Sequence, residues 1–147
     1  MITPNYHIAY RNVASKYYRF VPEEMDLALK DFQSILEKNG YQLNGSILFT
    51  ILSDPTSEVM DAEIFLPIIE NIITIDDQEQ IYFHSYLSIK PMIMTRVLNN
   101  FESQSQTKYW ELMNYIRMNG MKQKTPVFVE YKTSYMGRHY VEMSVGV

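Results

Sequence analysis

Residues 61–68 have the sequence Asp-Ala-Glu-Ile-Phe-Leu-Pro-Ile, and this stretch gives the first indication of the fold class. Side chains of a strand alternate between its two faces, so Glu63 and Phe65 share one face. The small and aliphatic side chains between them share the other, which suits a position under a helix. The stretch therefore predicts a half-covered strand with a glutamate on the side away from the helices.

A helix is predicted upstream of this strand, because apolar residues recur at three- and four-residue spacing from Glu23 to Asn39. Pro22 stands at its start, where a missing N–H is tolerated. Asn39-Gly40 supplies a left-handed stop. Strands are predicted at 8–20 before the helix and at 47–52 after it. The order up to residue 68 is strand, helix, strand, strand.

The second half of the chain shows the same order. A helix predicted at 106–119 ends in Asn119-Gly120, just as the first ends in Asn39-Gly40. Gly40 and Gly120 are 80 residues apart, and Ala62-Glu63-Ile64 matches Val141-Glu142-Met143 at an offset of 79. The strands predicted around the second helix are 81–87, 92–101, 126–131 and 140–147.

The two halves share the same order of predicted elements and the same Asn-Gly helix ends, which predicts an internal repeat. Repeat one covers residues 6–68, a polar connector covers 69–80, and repeat two covers 81–147. The predicted fold class is α+β, with two pseudo-symmetric β-α-β-β repeats that form an antiparallel sheet in one domain of residues 1–147. Both helices are expected on one face of the sheet, with a cleft on the other.

Composition excludes several classes of protein. The 147 residues contain no cysteine, so disulfides and thiolate metal sites are ruled out. A net charge of -4 without a Lys/Arg cluster argues against nucleic-acid binding. Neither a signal peptide nor an apolar stretch of membrane-spanning length is present, so we expect a cytoplasmic protein with no membrane partner. The sequence leaves the oligomeric state open.

Twelve tyrosines and ten methionines are unusual numbers for a chain of this length. Tyrosine offers a rigid apolar face with a polar tip, and methionine adapts to irregular shapes. They suit either a surface that accommodates ligands or simple core filling. Tyr82, His84 and Tyr86 alternate along one predicted strand, where a helix and a ligand, a helix and a partner, or an edge contact could cover them.

Glu63 and Glu142 are equivalent positions of the repeat, and both point away from the helices. If aromatic side chains line that face, a partly desolvated glutamate there favours a cationic or polar aromatic molecule. Tyrosine and phenylalanine faces would add cation–π attraction. The alternative is that both glutamates are ordinary surface charges.

Signals for catalysis are weak. The chain has no glycine-rich phosphate loop, no His-Glu-x-x-His and no Gly-x-Ser-x-Gly. Its three histidines lie far apart in sequence. We assign no catalytic residue, no metal ligand and no cofactor, although the two equivalent glutamates could do acid–base work if they approached each other.

The repeated order, the loop Ser53-Asp54-Pro55-Thr56 and the strand at 61–68 resemble the GyrI-like (SHS2-type) effector-binding domain. In that family, a loop with Asp-Pro precedes a closing strand of the form Glu-Ile-aromatic-aliphatic-Pro-aliphatic. The resemblance implies a pseudo-twofold sheet with an inter-repeat cleft that holds amphipathic or cationic small molecules. It implies a binding role for Glu63, with cleft walls at Tyr17, Tyr18, Phe65 and Tyr140.

Two features depart from the family pattern. The second half ends in Tyr-Val-Glu-Met-Ser-Val-Gly-Val in place of the proline form, and these 147 residues leave no room for a DNA-binding domain beside the predicted one. We therefore expect an asymmetric cleft, in which Glu142 is a further candidate ligand residue, and we do not expect a transcription factor that acts alone.

The chain also resembles a small family from Gram-positive bacteria that is associated with LXG toxins exported by type VII secretion. Val13-Ala14-Ser15-Lys16 and Tyr82-Phe83-His84-Ser85-Tyr86 carry this resemblance. It implies an accessory or chaperone-like adaptor for a protein partner. The leading hypothesis is a non-catalytic small-molecule binding protein, followed by the adaptor and then by a GyrI-like hydrolase.

Overall fold

The computed structural model describes the whole chain from Met1 to Val147. Six strands and two helices follow one another in the order β1, α1, β2, β3, β4, α2, β5, β6. Their bounds are Thr3–Phe20 (β1), Met25–Lys38 (α1), Ile47–Ile51 (β2), Met60–Pro67 (β3), Tyr82–Val97 (β4), Phe101–Met118 (α2), Val127–Thr133 (β5) and His139–Gly146 (β6). This order confirms the α+β class and the repeated strand, helix, strand, strand pattern.

The chain forms two compact units. The first unit is Ala9–Ser88, and the second unit consists of Met1–Ile8 together with Ile89–Val147. The predicted repeat boundaries differ from these limits because β1 and β4 are long strands that each contribute residues to both units. The predictions of a single domain and of a cleft between the repeats stay predictions.

Strand pairing follows the same scheme in each unit. In the first unit β3 pairs antiparallel with β1 on one side and with β2 on the other. In the second unit β6 pairs antiparallel with β4 and with β5. Glu63 lies opposite Tyr17 and Thr50, and Glu142 lies opposite Arg96 and Glu130. The register makes Glu63 and Glu142 equivalent, as the sequence offset of 79 predicts.

Both helices end in the same hydrogen-bonded motif, as the Asn-Gly pairs predict. After α1 the N–H of Tyr41 donates to the carbonyl of Leu36 at 3.0 Å, and Gly40 has a φ of 85°. After α2 the N–H of Met121 donates to the carbonyl of Ile116 at 2.9 Å, and Gly120 has a φ of 62°. This is the Schellman motif. It requires a residue in the left-handed backbone conformation, which glycine adopts without strain.

Two elements differ from the sequence prediction. The stretches predicted at 81–87 and 92–101 belong to one continuous strand, β4, that ends at Val97. Helix α2 begins at Phe101 and not at 106. Asn100 adopts a left-handed φ of 52° and ends the extended chain there. The first turns of α2 are polar, so apolar periodicity could not reveal them.

Each β-α-β-β pattern has a core of aliphatic and aromatic side chains. In the first unit Phe32 and Leu36 of α1 are fully buried, as are Ile64 and Leu66 of β3 at no more than 1% exposure. In the second unit Leu112 of α2 and Met143 and Val145 of β6 are fully buried. Neither helix is long and apolar enough to cross a membrane.

Candidate functional site

Glu63 lies on the face of the first unit that is turned away from α1. Residues directly opposite in an antiparallel pair share a face, so this face also holds Tyr17 and Thr50, and one pair further along it holds Ser15 and Phe65. Strand β4 adds further aromatic side chains. We call this surface the Glu63 face. Besides Leu48 and the Arg19–Asp61 pair, it includes Ser15, Tyr17, Thr50, Glu63, Phe65, Tyr82, His84 and Tyr86.

Tyr17, the cross-strand partner of Glu63 on β1, contacts Tyr82 of β4, and both tyrosines stay open to solvent. The rings of Tyr17 and Tyr82 meet edge to face, with centroids 5.8 Å apart and an interplanar angle of 84°. The two side chains are 54% and 53% exposed. The charge of Glu63 raises the pKa of Tyr17 above its ordinary value, with smaller contributions from burial and from hydrogen bonding to Glu63. Tyr17 and Glu63 are direct cross-strand partners on β1 and β3.

The Glu63 carboxylate has no cationic partner. No Lys, Arg or His nitrogen lies within 4.0 Å of it. The guanidinium two residues along β1, on Arg19, is engaged elsewhere, since its Nε donates to Asp61 Oδ1 at 2.7 Å. A half-buried carboxylate with aromatic neighbours and no counter-ion can accept a cation or a hydrogen-bond donor.

A histidine and a serine of the Glu63 face are in contact next to the two tyrosines. The Ser15 hydroxyl and His84 Nε2 are 2.9 Å apart. Ser15 is fully buried, and the His84 ring packs against Phe65 with centroids 5.8 Å apart. This contact connects β1, β3 and β4 within the first unit and fixes the strand that holds Tyr82.

Tyr18, which was predicted to be a wall beside Glu63, lies on the opposite face. It pairs with Ala62, its ring packs against Phe32 of α1 at 6.2 Å, and its hydroxyl donates to Asp31 Oδ2 at 2.7 Å. Adjacent residues of a strand point to opposite faces, so Tyr17 and Tyr18 cannot both line one surface. Tyr18 is a contact between β1 and α1.

Glu142 occupies the equivalent position in the second unit but has a different environment. It is 4% exposed, and Arg96 Nε donates to its Oε2 at 2.7 Å. The Tyr6 hydroxyl contacts its Oε1 at 2.9 Å, and Lys132 Nζ lies 3.9 Å from the same oxygen. Both carboxylate oxygens are therefore engaged within the protein.

Tyr6 connects Glu142 to a second buried glutamate. Its hydroxyl contacts Glu130 Oε1 at 2.8 Å, and Glu130 is 2% exposed, with Lys132 Nζ 3.4 Å from its Oε2. Burial raises the pKa of Tyr6 well above its ordinary value, and the charge of Glu130 raises it further. The phenol consequently stays protonated and acts as a hydrogen-bond donor to this pair of glutamates.

Tyr140, the remaining predicted wall, lies in the second unit. The guanidinium carbon of Arg96 is 5.9 Å from the centroid of its ring. Of the predicted site residues, the structure brings Glu63, Tyr17 and Phe65 together in the first unit, and Glu142 and Tyr140 together in the second.

Sequence reasoning assigned no role to the residues that make the two glutamates different. Tyr6, Arg96 and Glu130 are far apart in sequence, and their convergence on Glu142 depends on strand register. No group of three or more His, Cys, Asp or Glu side chains is arranged to hold a metal ion.

A known family and a solved structure resemble this chain over most of its length. The family model described as a domain of unknown function (DUF5085) matches residues 9–147. The structure is similar to one described as the cryo-EM structure of the EcmrR-DNA complex in EcmrR-RPo, with a TM-score of 0.74 and 16% sequence identity. That match covers 99% of this chain and 56% of the EcmrR chain, so the chain spans little more than half of that protein.

A second solved structure corresponds to one domain of the same protein. The crystal structure of the EcmrR C-terminal domain matches with a TM-score of 0.71 and 16% identity, over 99% of this chain and 96% of that one. No curated protein sequence matches the chain. At this level of identity the likeness establishes the fold, which is the GyrI-like α+β fold that the sequence predicted.

Proposed function

We propose that this chain, which belongs to the DUF5085 family and has a GyrI-like fold, is a non-catalytic binding protein. Its proposed ligand site is the Glu63 face. The proposed ligand has an apolar or aromatic body and a cationic or hydrogen-bond-donating group. The leading candidate is a small amphipathic or cationic molecule, as the GyrI-like resemblance implies.

The observation that supports this proposal is the contrast between the two equivalent glutamates. Glu142 is neutralised by Arg96 and bound by Tyr6, whereas Glu63 has no cation near it and stands between Tyr17, which is partly exposed, and Thr50. An unpaired carboxylate in a partly apolar surface loses hydration without gaining a counter-ion, and a cationic ligand would supply one. Tyrosine faces add attraction of ~0.5–2 kcal/mol per cation–π contact.

Calorimetric titration tests the proposal with tetraphenylphosphonium and a cationic rhodamine dye as probes. The variants are Glu63→Gln and, as a matched control, Glu58→Gln, which removes the same charge from an exposed position in the loop between β2 and β3. We expect Glu63→Gln to weaken binding about tenfold, equivalent to ~1.4 kcal/mol, and Glu58→Gln to leave it unchanged. No binding, or binding that Glu63→Gln does not alter, would contradict the proposed function.

The second candidate is an adaptor for a protein partner, which could be an exported toxin of the kind that the second resemblance implies. The open position of Tyr17 and Tyr82 favours it, since more than half of each side chain is accessible to a macromolecule. Purification from the native host should then recover one partner in stoichiometric amount, and its repeated absence would count against the adaptor.

A further inference from the structure

The tyrosines of the Glu63 face form an open surface and not an enclosed pocket. Tyr17, Tyr82 and Tyr86 are 54%, 53% and 58% exposed. Small-molecule sites are typically concave and bury ~70–90% of their ligand, whereas more than half of each of these three side chains is accessible. Rigid aromatic side chains that stay accessible are instead typical of protein interfaces.

Charge is distributed very unequally between the two units. The first unit contains thirteen Asp and Glu against five Lys and Arg, and the second contains four against eight. The first unit therefore has a net charge of -8 and the second a net charge of +4, which together give the -4 of the chain. The unit with the open tyrosines attracts basic partners over distances of about one Debye length, ~8 Å at physiological salt.

From these two observations we infer that the occupant of the Glu63 face is a lysine- or arginine-bearing segment of a protein partner. The inference rests on the proposed function, because it uses the same carboxylate. One cationic side chain binds Glu63, and its aliphatic stem lies against the rings of Tyr17 and Tyr82. Long basic side chains suit this arrangement, since they have an apolar stem and a charged tip.

The chemistry of this contact favours an extended segment. A single cation satisfies Glu63, but the exposed ring of Tyr86 lies four residues further along β4 than that of Tyr82. Successive side chains on one side of an extended peptide are ~6.6–7 Å apart, so neighbouring side chains of the segment can meet successive rings along the strand. Electrostatic attraction by the acidic unit then speeds association and makes it sensitive to salt.

Fluorescence anisotropy of labelled peptides tests the inference. The probes are a short peptide of alternating lysine and threonine, the same peptide with glutamine in place of lysine, and unlabelled tetraphenylphosphonium as a competitor. The lysine peptide should bind at least about tenfold more tightly than the glutamine peptide. Glu63→Gln and Tyr82→Ala should each weaken it several-fold, whereas Glu58→Gln and Tyr135→Ala should not.

Tyr135 is a suitable control because it is 99% exposed and belongs to the second unit. Unfolding midpoints of all five variants, Tyr82→Phe included, check that each remains folded. Tyr82→Phe should retain most of the affinity because it keeps the ring. Equal binding of the two peptides would overturn the inference. Loss of affinity in Tyr135→Ala equal to that in Tyr82→Ala would overturn it as well.

The small cation separates this inference from the proposed function. If tetraphenylphosphonium binds in a Glu63-dependent manner while the lysine peptide does not bind, the proposed function stands and the inference is overturned. If neither binds, both fail. Light scattering tests the remaining possible occupant, which is a second copy of the chain. A dimer that forms with rising concentration and is lost in Glu63→Gln would identify that occupant and overturn the inference.

Discussion

Glu63 and Glu142 occupy the same position in the two repeats, yet only Glu142 is paired with an arginine. Arg96 stands opposite Glu142 where Tyr17 stands opposite Glu63, and Glu130 stands where Thr50 does. The same backbone position therefore supports a self-contained polar network in one repeat and an open carboxylate in the other.

Removal of the Tyr6 hydroxyl should destabilise the protein. In Tyr6→Phe the buried oxygens of Glu130 and Glu142 lose their shared hydrogen-bond donor, and we expect the free energy of unfolding to fall by about 1–3 kcal/mol. Urea denaturation measures the change. Tyr135→Phe alters a fully exposed phenol and should have no effect; an unchanged midpoint for Tyr6→Phe would show that the glutamates do not depend on this contact.

Substitution of the two arginines that bind carboxylates should have unequal effects. Arg96→Met leaves Glu142, whose side chain is 6% exposed, without its closest cation, and we expect a loss of about 1.5–3 kcal/mol. Arg19→Met breaks a pair whose partner, Asp61, is 40% exposed, and such pairs contribute ~0–1 kcal/mol. Thermal unfolding of both variants measures the two losses of stability, and equal losses would contradict the prediction.

Ser144→Ala should cost no stability. The Ser144 hydroxyl is fully buried and has no hydrogen-bond partner, so the wild type bears a desolvation penalty that alanine removes. We expect the free energy of unfolding to stay equal or to rise by up to about 1 kcal/mol. Ser15→Ala is the matched control, since its hydroxyl contacts His84 and its loss should destabilise. A clear loss in Ser144→Ala would mean that this hydroxyl has a partner.

Alkaline pH should weaken the fold through two tyrosines. Burial raises the pKa of Tyr6 and of Tyr18 above the ordinary value of 10.0, so the unfolded chain releases these protons at lower pH than the folded one. The stability they provide is complete below pH 10 and falls as the pH rises beyond it. Urea titrations at several alkaline pH values should show this decline, and Tyr6→Phe with Tyr18→Phe should flatten it.

The fold was predictable from sequence because its signals are local. Each Asn-Gly pair marks a helix end, and alternation along 61–68 identifies the covered strand without knowledge of its neighbours. The start of α2 was missed because its first turns contain polar residues with no apolar period. Residues 1–8 gave no sign that they belong with the second repeat, since no local pattern encodes that pairing.

The candidate site was predictable only in part. Alternation along 61–68 places Glu63 and Phe65 on one face, whereas the faces on which Tyr17 and Tyr18 lie are set by the register of β1 with β3. The pairing of Glu142 with Arg96 and Tyr6 depends on three distant segments. Such a contact is set by register, and a single sequence does not reveal register.

The division of β1 between the units has a consequence for how the protein is made. The first unit is one continuous segment, so all of its residues are available once Ser88 has left the ribosome. The second unit combines residues 1–8 with residues 89–147, so residues 1–8 can join their unit only after the whole of the first unit has been synthesised. During translation, residues 1–8 therefore stay apart from their partners while residues 9–88 emerge.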